Sequence, residues 1–227
     1  MTDCFTTEWL TAIGTNIAVV AALAIAIFHE HLRRLFWHPT LEIRLDNQPP
    51  DCNLIPTNLQ TGTQVDCYYF RIRIHNEGRA SAETVEVFIE EIHRRRADGT
   101  FGRWQNFLPL NLVWAHYQQP YFPKIPPKVY KHCDLGHIFD PTFRNQIPGE
   151  DHPALGEFQS QTVMCLALIV RPNSGTHLIP PGFYRLTLVA VAANAKVTRR
   201  TIEMNLTGQW FPDESRMLRE GIGLRLL

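Results

Sequence analysis

The run His132-Cys133-Asp134-Leu135-Gly136-His137 concentrates side chains that bind metal. Imidazole nitrogen and thiolate sulfur are preferred zinc ligands. Side chains alternate faces along an extended strand, so Cys133 and His137 share one face and His132 takes the other. Further ligands would come from a distance, from His116 or His152. Cys133 and His137 are thus the metal candidates, and a metal-dependent hydrolase around His132, Cys133 and His137 is one reading. The plainer reading expects no metal and no cofactor: a strand that buries Cys133 and turns at Gly136.

Other chemistry is thinner. No GxSxG surrounds any serine, and the serines are Ser81, Ser160, Ser174 and Ser215. Cys67 and Cys165 lie in apolar runs, where burial keeps a thiol protonated and inert. The pair Gly221 and Gly223 precedes no Lys-Ser/Thr, so no phosphate-binding loop is read there. Asp140, Glu150, Asp151 and His152 would suit acid–base work if they converged in a cleft. Solvated loop residues are the expectation, and no catalytic residue is assigned. Arg94-Arg95-Arg96, with Arg199 and Arg200, form a basic patch suited to anionic lipid headgroups. Lys+Arg and Asp+Glu balance at 22 each, and no aromatic residues interleave the patch, so no nucleic-acid partner is expected. Asn205-Leu206-Thr207 matches a glycosylation sequon, but inside an alternating strand it is structural.

The elements that would position these groups begin with an anchor. Residues 1–8 form a short tail. Residues 9–28 run from Trp9 to Phe28 without a charged side chain. As a helix they would span about 30 Å, the thickness of a bilayer's hydrocarbon core. Trp9 on one side and Phe28, Phe36 and Trp37 on the other would sit at the interfaces. A cleaved signal peptide is the rival, yet the first eight residues hold Asp3 and Glu8 and no Lys or Arg. A buried soluble helix is the other alternative. The juxtamembrane segment 29–38 carries Arg33 and Arg34, which the positive-inside rule places in the cytoplasm. Charged residues make up only 19% of the chain, which fits a part that avoids water. The five cysteines are Cys4, Cys52, Cys67, Cys133 and Cys165, widely spaced and with no CxxC. Such thiols fit a reducing compartment, although Cys52–Cys67 would close a loop in an oxidising one.

After Pro39 the pattern alternates. Leu41, Ile43 and Leu45; Tyr68, Phe70, Ile72 and Ile74; Val85, Val87 and Ile89; Tyr184, Leu186, Leu188 and Ala190; and Ile202, Met204 and Leu206 each recur at period two. That is the mark of half-buried strands. Thr162 to Val170 is apolar on both faces, as in a strand covered on both sides. Asn76-Glu77-Gly78, Ala97-Asp98-Gly99, Pro172-Asn173-Ser174-Gly175 and Pro180-Pro181-Gly182 punctuate the runs as turns. Residues 39–211 therefore read as an antiparallel β-sandwich, making the chain mainly β. Two long loops interrupt it: 47–64, and 118–158 with its seven prolines. The second carries a short strand at His132 to Phe139 and covers one end or edge of the sandwich. Residues 212–227 form a short helix over Ser215 to Glu220, stopped by Gly221, and an alternating tail at Ile222, Leu224 and Leu226.

Arg71 to Glu90, RIRIHNEGRASAETVEVFIE, resembles the strand–turn–strand of bacterial immunoglobulin-like domains of the CARDB kind. There an Asn-x-Gly turn leads into a small residue and a Val-x-Val strand. PPGFYRLTLVAVAANA, from Pro180 to Ala195, is similar to a late strand of such sandwiches, with Tyr184 inward. The whole resembles bacterial single-pass membrane proteins carrying one such domain. The resemblance implies an immunoglobulin-like fold and no activity.

These readings lead to a non-enzymatic module tethered in the bacterial inner membrane, its C-terminal domain cytoplasmic. Its partners would be the lipid bilayer and a protein or a second copy. The alternatives are a membrane-anchored sensor or effector subunit, binding a small ligand under the 118–158 excursion, and the hydrolase described above.

Overall fold

The computed structural model describes residues 13–28, 37–105 and 107–227. The chain divides into two units, Met1–His38 and Pro39–Leu227. In the first, residues 13–28 form a helix, α1, and all of them except the half-buried Ala24 are exposed. Residues 9–12 of the expected span, with Trp9, lie outside the described residues, as do Arg33, Arg34 and Phe36. Among the described residues no helix is long and apolar enough to cross a membrane.

The second unit consists of two antiparallel sheets, a mainly-β, sandwich-like fold. One sheet holds β1 (Leu41–Arg44), β2 (Cys52–Asn58), β3 (Gln64–Asn76), β7 (Val113–Trp114), β9 (Tyr130–Phe139), β10 (Met164–Leu166) and β11 (Leu178–Ile179). The other holds β4 (Ala82–Arg95), β5 (Phe101–Arg103), β6 (Leu110–Asn111), β8 (Tyr121–Ile125), β12 (Gly182–Val191), β13 (Thr198–Leu206) and β14 (Ile222–Leu226). The first runs β1-β3-β9-β10-β11 and the second β14-β13-β12-β4-β5. Long strands serve as rails for short ones. One edge of β3 takes β1 at residues 73–76 and β2 at residues 64–70. One edge of β4 takes β8, β6 and β5 in succession.

The alternating residues of both sheets meet in one core. Phe70, Ile72, Ile74 and Leu135 of the first sheet share it with Val87, Ile89, Leu186 and Met204 of the second. Tyr184 is buried, and its hydroxyl donates to the Pro180 carbonyl at 2.8 Å. Burying the ring costs little because its polar tip is satisfied.

Several segments depart from the sequence reading. Residues 47–64, expected as a loop, contain β2, paired along β3 from Cys52↔Phe70 to Asn58↔Gln64. The excursion 118–158 divides: β8 covers one edge of β4, as an edge cover would, whereas β9 lies in the middle of the first sheet, between β3 and β10. The part after β9 lies over that sheet's outer face. Val65, Cys67 and Phe139 are apolar on that face and are buried with Ile147, with the half-buried Phe143 packed against them. Leu155 does the same for Val163, Cys165 and Leu178. The double-sided burial of 163–166 thus has a physical cause, but the strand there is only Met164–Leu166, and Val170 is exposed. The expected helix at 215–220 is a short α-turn, Glu214–Arg216, continued by a π-turn, Met217–Gly221. Asp213 caps it, accepting from the Arg216 amide at 2.8 Å. The alternating tail docks by pairing, as β14 against β13.

Candidate functional site

The register between β3 and β9 slips between Phe70 and Arg71: Gly136 faces Phe70, while Asp134 faces Arg71. Leu135 is the extra residue of a β-bulge. A bulge reverses the alternation beyond it. Cys133 therefore points into the core, its thiol donating to the Val113 carbonyl at 3.3 Å. His137 points out of the opposite face, its ring 5.6 Å from that of Tyr69. The expected sharing of one face by Cys133 and His137 is overturned, so the strand does not bring His132, Cys133 and His137 to one ion. His132 is bonded elsewhere, its Nε2 lying 3.2 Å from Asp51 Oδ1. His152 caps the turn Pro153–Ser160, its Nδ1 accepting from the Ala154 amide at 3.1 Å. Asp140 likewise caps Pro141–Gln146.

His137 instead meets two residues that the sequence had placed in other roles. Across the β9–β10 ladder its direct partner is Cys165. Its Nε2 lies 2.9 Å from Oε1 of Glu150. One ligand-type atom from each of His137, Glu150 and Cys165 falls within 4.8 Å of the others. All three are sheltered: Cys165 is fully buried, and the side chains of Glu150 and His137 are 4% and 12% exposed. Glu150 is not a solvated loop residue. It follows Pro148-Gly149, the centre of a turn closed by the Glu150 amide donating to the Ile147 carbonyl at 3.1 Å. Gly149 has φ +81°, and this conformation, with proline before it, fits a type II turn. That turn aims the carboxylate down onto the sheet. Pro-Gly before an acidic residue was the one local signal that could have found it.

The electrostatics follow from this packing. Burial pulls the His137 imidazole down, but the hydrogen bonds to Cys165 and Glu150 outweigh it and leave the pKa above the ordinary range. Arg144, itself buried, donates to the carbonyls of Phe158 at 3.3 Å and Gln161 at 2.6 Å, and lies in the field of Glu150 and Cys165. His177 is 2% exposed, and apart from the Gly149 backbone its ring nitrogens have no hydrogen-bond partner. Burial lowers its pKa, while the Gly149 backbone and Glu150 act against that. Burial also pushes the Cys52 thiol up to about 12 and raises Cys67 and Cys133 as well. Cys52 and Cys67 are free, not bridged.

Among the grooves on the surface, three lie at described residues. One of about 600 Å³ is lined by Arg94, Arg95, Arg96 and Arg103, with Trp104 and Phe158 among its walls. None of these arginines forms an ion pair among the described residues. Arg94 donates to the Pro181 carbonyl at 3.1 Å, and its guanidinium lies 5.7 Å from the Tyr184 ring. Arg199 and Arg200, grouped with them from sequence, are elsewhere: Arg199 pairs with Glu90 at 3.0 Å, and Arg200 lines a second groove of about 520 Å³. The third, about 320 Å³, lies beside Asn47 and Leu218. His137, Glu150 and Cys165 line none of the three. Of the expected membrane anchors, Phe28 and Trp37 are described, and both are more than half exposed.

No protein-family model matches the chain, and no curated protein matches it significantly.

Proposed function

We propose that the chain is a membrane-tethered, non-enzymatic interaction module, with an immunoglobulin-like sandwich that offers a surface to a protein partner. The observation that carries this reading is α1. Its residues 13–28 carry no charge, and Ile17, Val20, Ile25 and Ile27 are each more than 60% exposed. Exposed apolar surface on every side of a helix calls for a hydrocarbon surround. With residues 9–12 the apolar stretch reaches the length that a bilayer needs. Arg33 and Arg34 on the C-terminal flank favour a cytoplasmic sandwich, and a bacterial inner membrane is the setting that the resemblance implies. The Tyr184–Pro180 bond, at the entry to a late strand, supports the immunoglobulin-like reading.

The groove of Arg94, Arg95, Arg96 and Arg103 supports the choice of surface. Its arginines form no ion pairs among the described residues, and Trp104 and Phe158 give it apolar walls. An acidic segment carrying an aromatic residue would match it in charge and chemistry. Phe158 and Ala154 belong to the 118–158 excursion, and this favours a second reading: a sensor subunit taking a small anion in the same groove.

The test is fractionation with topology mapping. A reporter fused after Leu227 should be active only in its cytoplasmic form, and the chain should need detergent for extraction. A freely soluble intact chain would end the tethering account. An acidic peptide should bind with strong salt dependence and lose affinity in Arg95→Glu/Arg103→Glu. Binding of a small anion without the peptide would favour the second reading.

A further inference from the structure

We propose that His137, Glu150 and Cys165 bind a zinc ion and that this sheltered site pins the 147–161 segment to the outer face of the first sheet. The inference holds whether or not the chain is anchored in a membrane.

The ligands arrive from three separate parts of the chain. His137 comes from β9, Cys165 from its partner strand β10, and Glu150 from the turn above them. Their ligand atoms already lie within 4.8 Å of one another. Bonds of about 2.0–2.3 Å in a tetrahedron place ligand atoms roughly 3.5 Å apart. Small rotations of these side chains therefore close the set around an ion.

His177 borders the site. Its ring is buried, its carbonyl accepts from the Leu166 amide at 2.9 Å, and Glu150 and a hydrogen bond to the Gly149 backbone act on its imidazole. It stands outside the ligand set.

The donor set selects the metal. Thiolate and imidazole favour zinc over magnesium or calcium, which take oxygen ligands. Zinc displaces the proton held between His137 and Glu150 and the thiol proton of Cys165, and both go to solvent. One thiolate and one carboxylate then neutralise the ion, and Arg144 remains bonded to the carbonyls of Phe158 and Gln161. The three protein ligands are sheltered from solvent, a water would complete the tetrahedron, and the role is to hold the segment in place.

Cobalt(II) titration of the reduced full-length chain in detergent tests this directly. The expected result is a saturable tetrahedral spectrum with a thiolate-to-cobalt band, reversed by zinc. Cys165→Ser should lose the band, and Cys133→Ser, with its thiol in the core, should keep it. Chelator should lower the thermal midpoint of the wild type and leave Cys165→Ser unmoved. Should Cys165→Ser not fold, the wild-type titration and Glu150→Gln, expected to weaken cobalt binding, decide the matter. A folded wild-type chain that gives no thiolate–cobalt band overturns the proposal, as does a band that survives loss of Cys165.

Discussion

Arg73 of β3 donates through Nε to Oδ2 of Asp51 at 2.9 Å, and the Asp51 side chain has no exposure to water. The same carboxylate accepts from the Asp46 amide at 2.9 Å and lies 3.2 Å from His132. A buried carboxylate persists only when paired and fully hydrogen-bonded. Asp51→Ala leaves the Asp46 amide unpaired and leaves Arg73 with Asp46 as its remaining carboxylate partner, and should destabilise the sandwich by about 1–3 kcal/mol. Urea unfolding followed by tryptophan fluorescence would measure it. Arg73→Met in the same background should cost less than it does alone, because the two residues act as one unit.

Asn76 ends β3 and has no exposed surface. Its Oδ1 accepts from the amides of Gly78 at 3.0 Å and Thr40 at 3.2 Å. Its Nδ2 donates to the carbonyls of Ala80 at 2.7 Å and Ile125 at 2.9 Å. One side chain thus ties the β3–β4 turn to β8. Asn76→Asp keeps the shape but sets a carboxylate against two carbonyls. It should destabilise by more than Asn76→Ser, which keeps some bonding, with both losses above about 1 kcal/mol. Thermal unfolding of the two variants side by side gives the order, and equal losses would contradict it.

His75 gives the sandwich a pH dependence. Its ring stacks on Tyr130 at 4.8 Å, and its Nε2 is buried without a partner. Burial lowers its pKa, Arg44 and Arg73 add to that, and Glu77 and Glu42 oppose it. The folded form therefore takes up a proton less readily than the unfolded chain. Its contribution to stability is complete above the unfolded value, near pH 6.5, and declines as pH falls through that value toward the folded one. Stability measured from about pH 7.5 down to pH 5 should fall more steeply for the wild type than for His75→Gln. Parallel curves would show that this imidazole is not the source.

What the sequence made legible followed local pattern. The alternation of Tyr68 to Ile74 and Val85 to Ile89 and the turn at Asn76-Glu77-Gly78 appear where expected, because each is written in adjacent residues. β2 was hidden because it is an edge strand with only partial burial beyond Cys52, and Pro56 within it reads as a loop. The candidate site was hidden for a different reason. The bulge at Leu135 exists only through pairing with β3, and it alone decides which faces Cys133 and His137 occupy. Glu150 and Cys165 reach His137 through a turn and a neighbouring strand, and neither contact leaves a spacing that could be read.

Gly136, beside that bulge, joins fold and site. A Cβ at this position would lie 2.6 Å from the Cys165 carbonyl oxygen and 2.7 Å from Met164 Sδ. The methionine sulfur can move, but the carbonyl is backbone and is held by the ladder. Gly136→Ala must push β10 away from β9, at a cost of about 1–3 kcal/mol for overpacking. The shift also draws Cys165 away from His137, its direct cross-strand partner. Alkylation of the folded chain by iodoacetamide, followed by peptide mass mapping, should therefore find Cys165 modified faster in Gly136→Ala than in the wild type. Cys52 and Cys133, buried away from the displaced edge, should remain protected in both. Uniform acceleration at all three thiols would mean global unfolding and would refute a local displacement of β10.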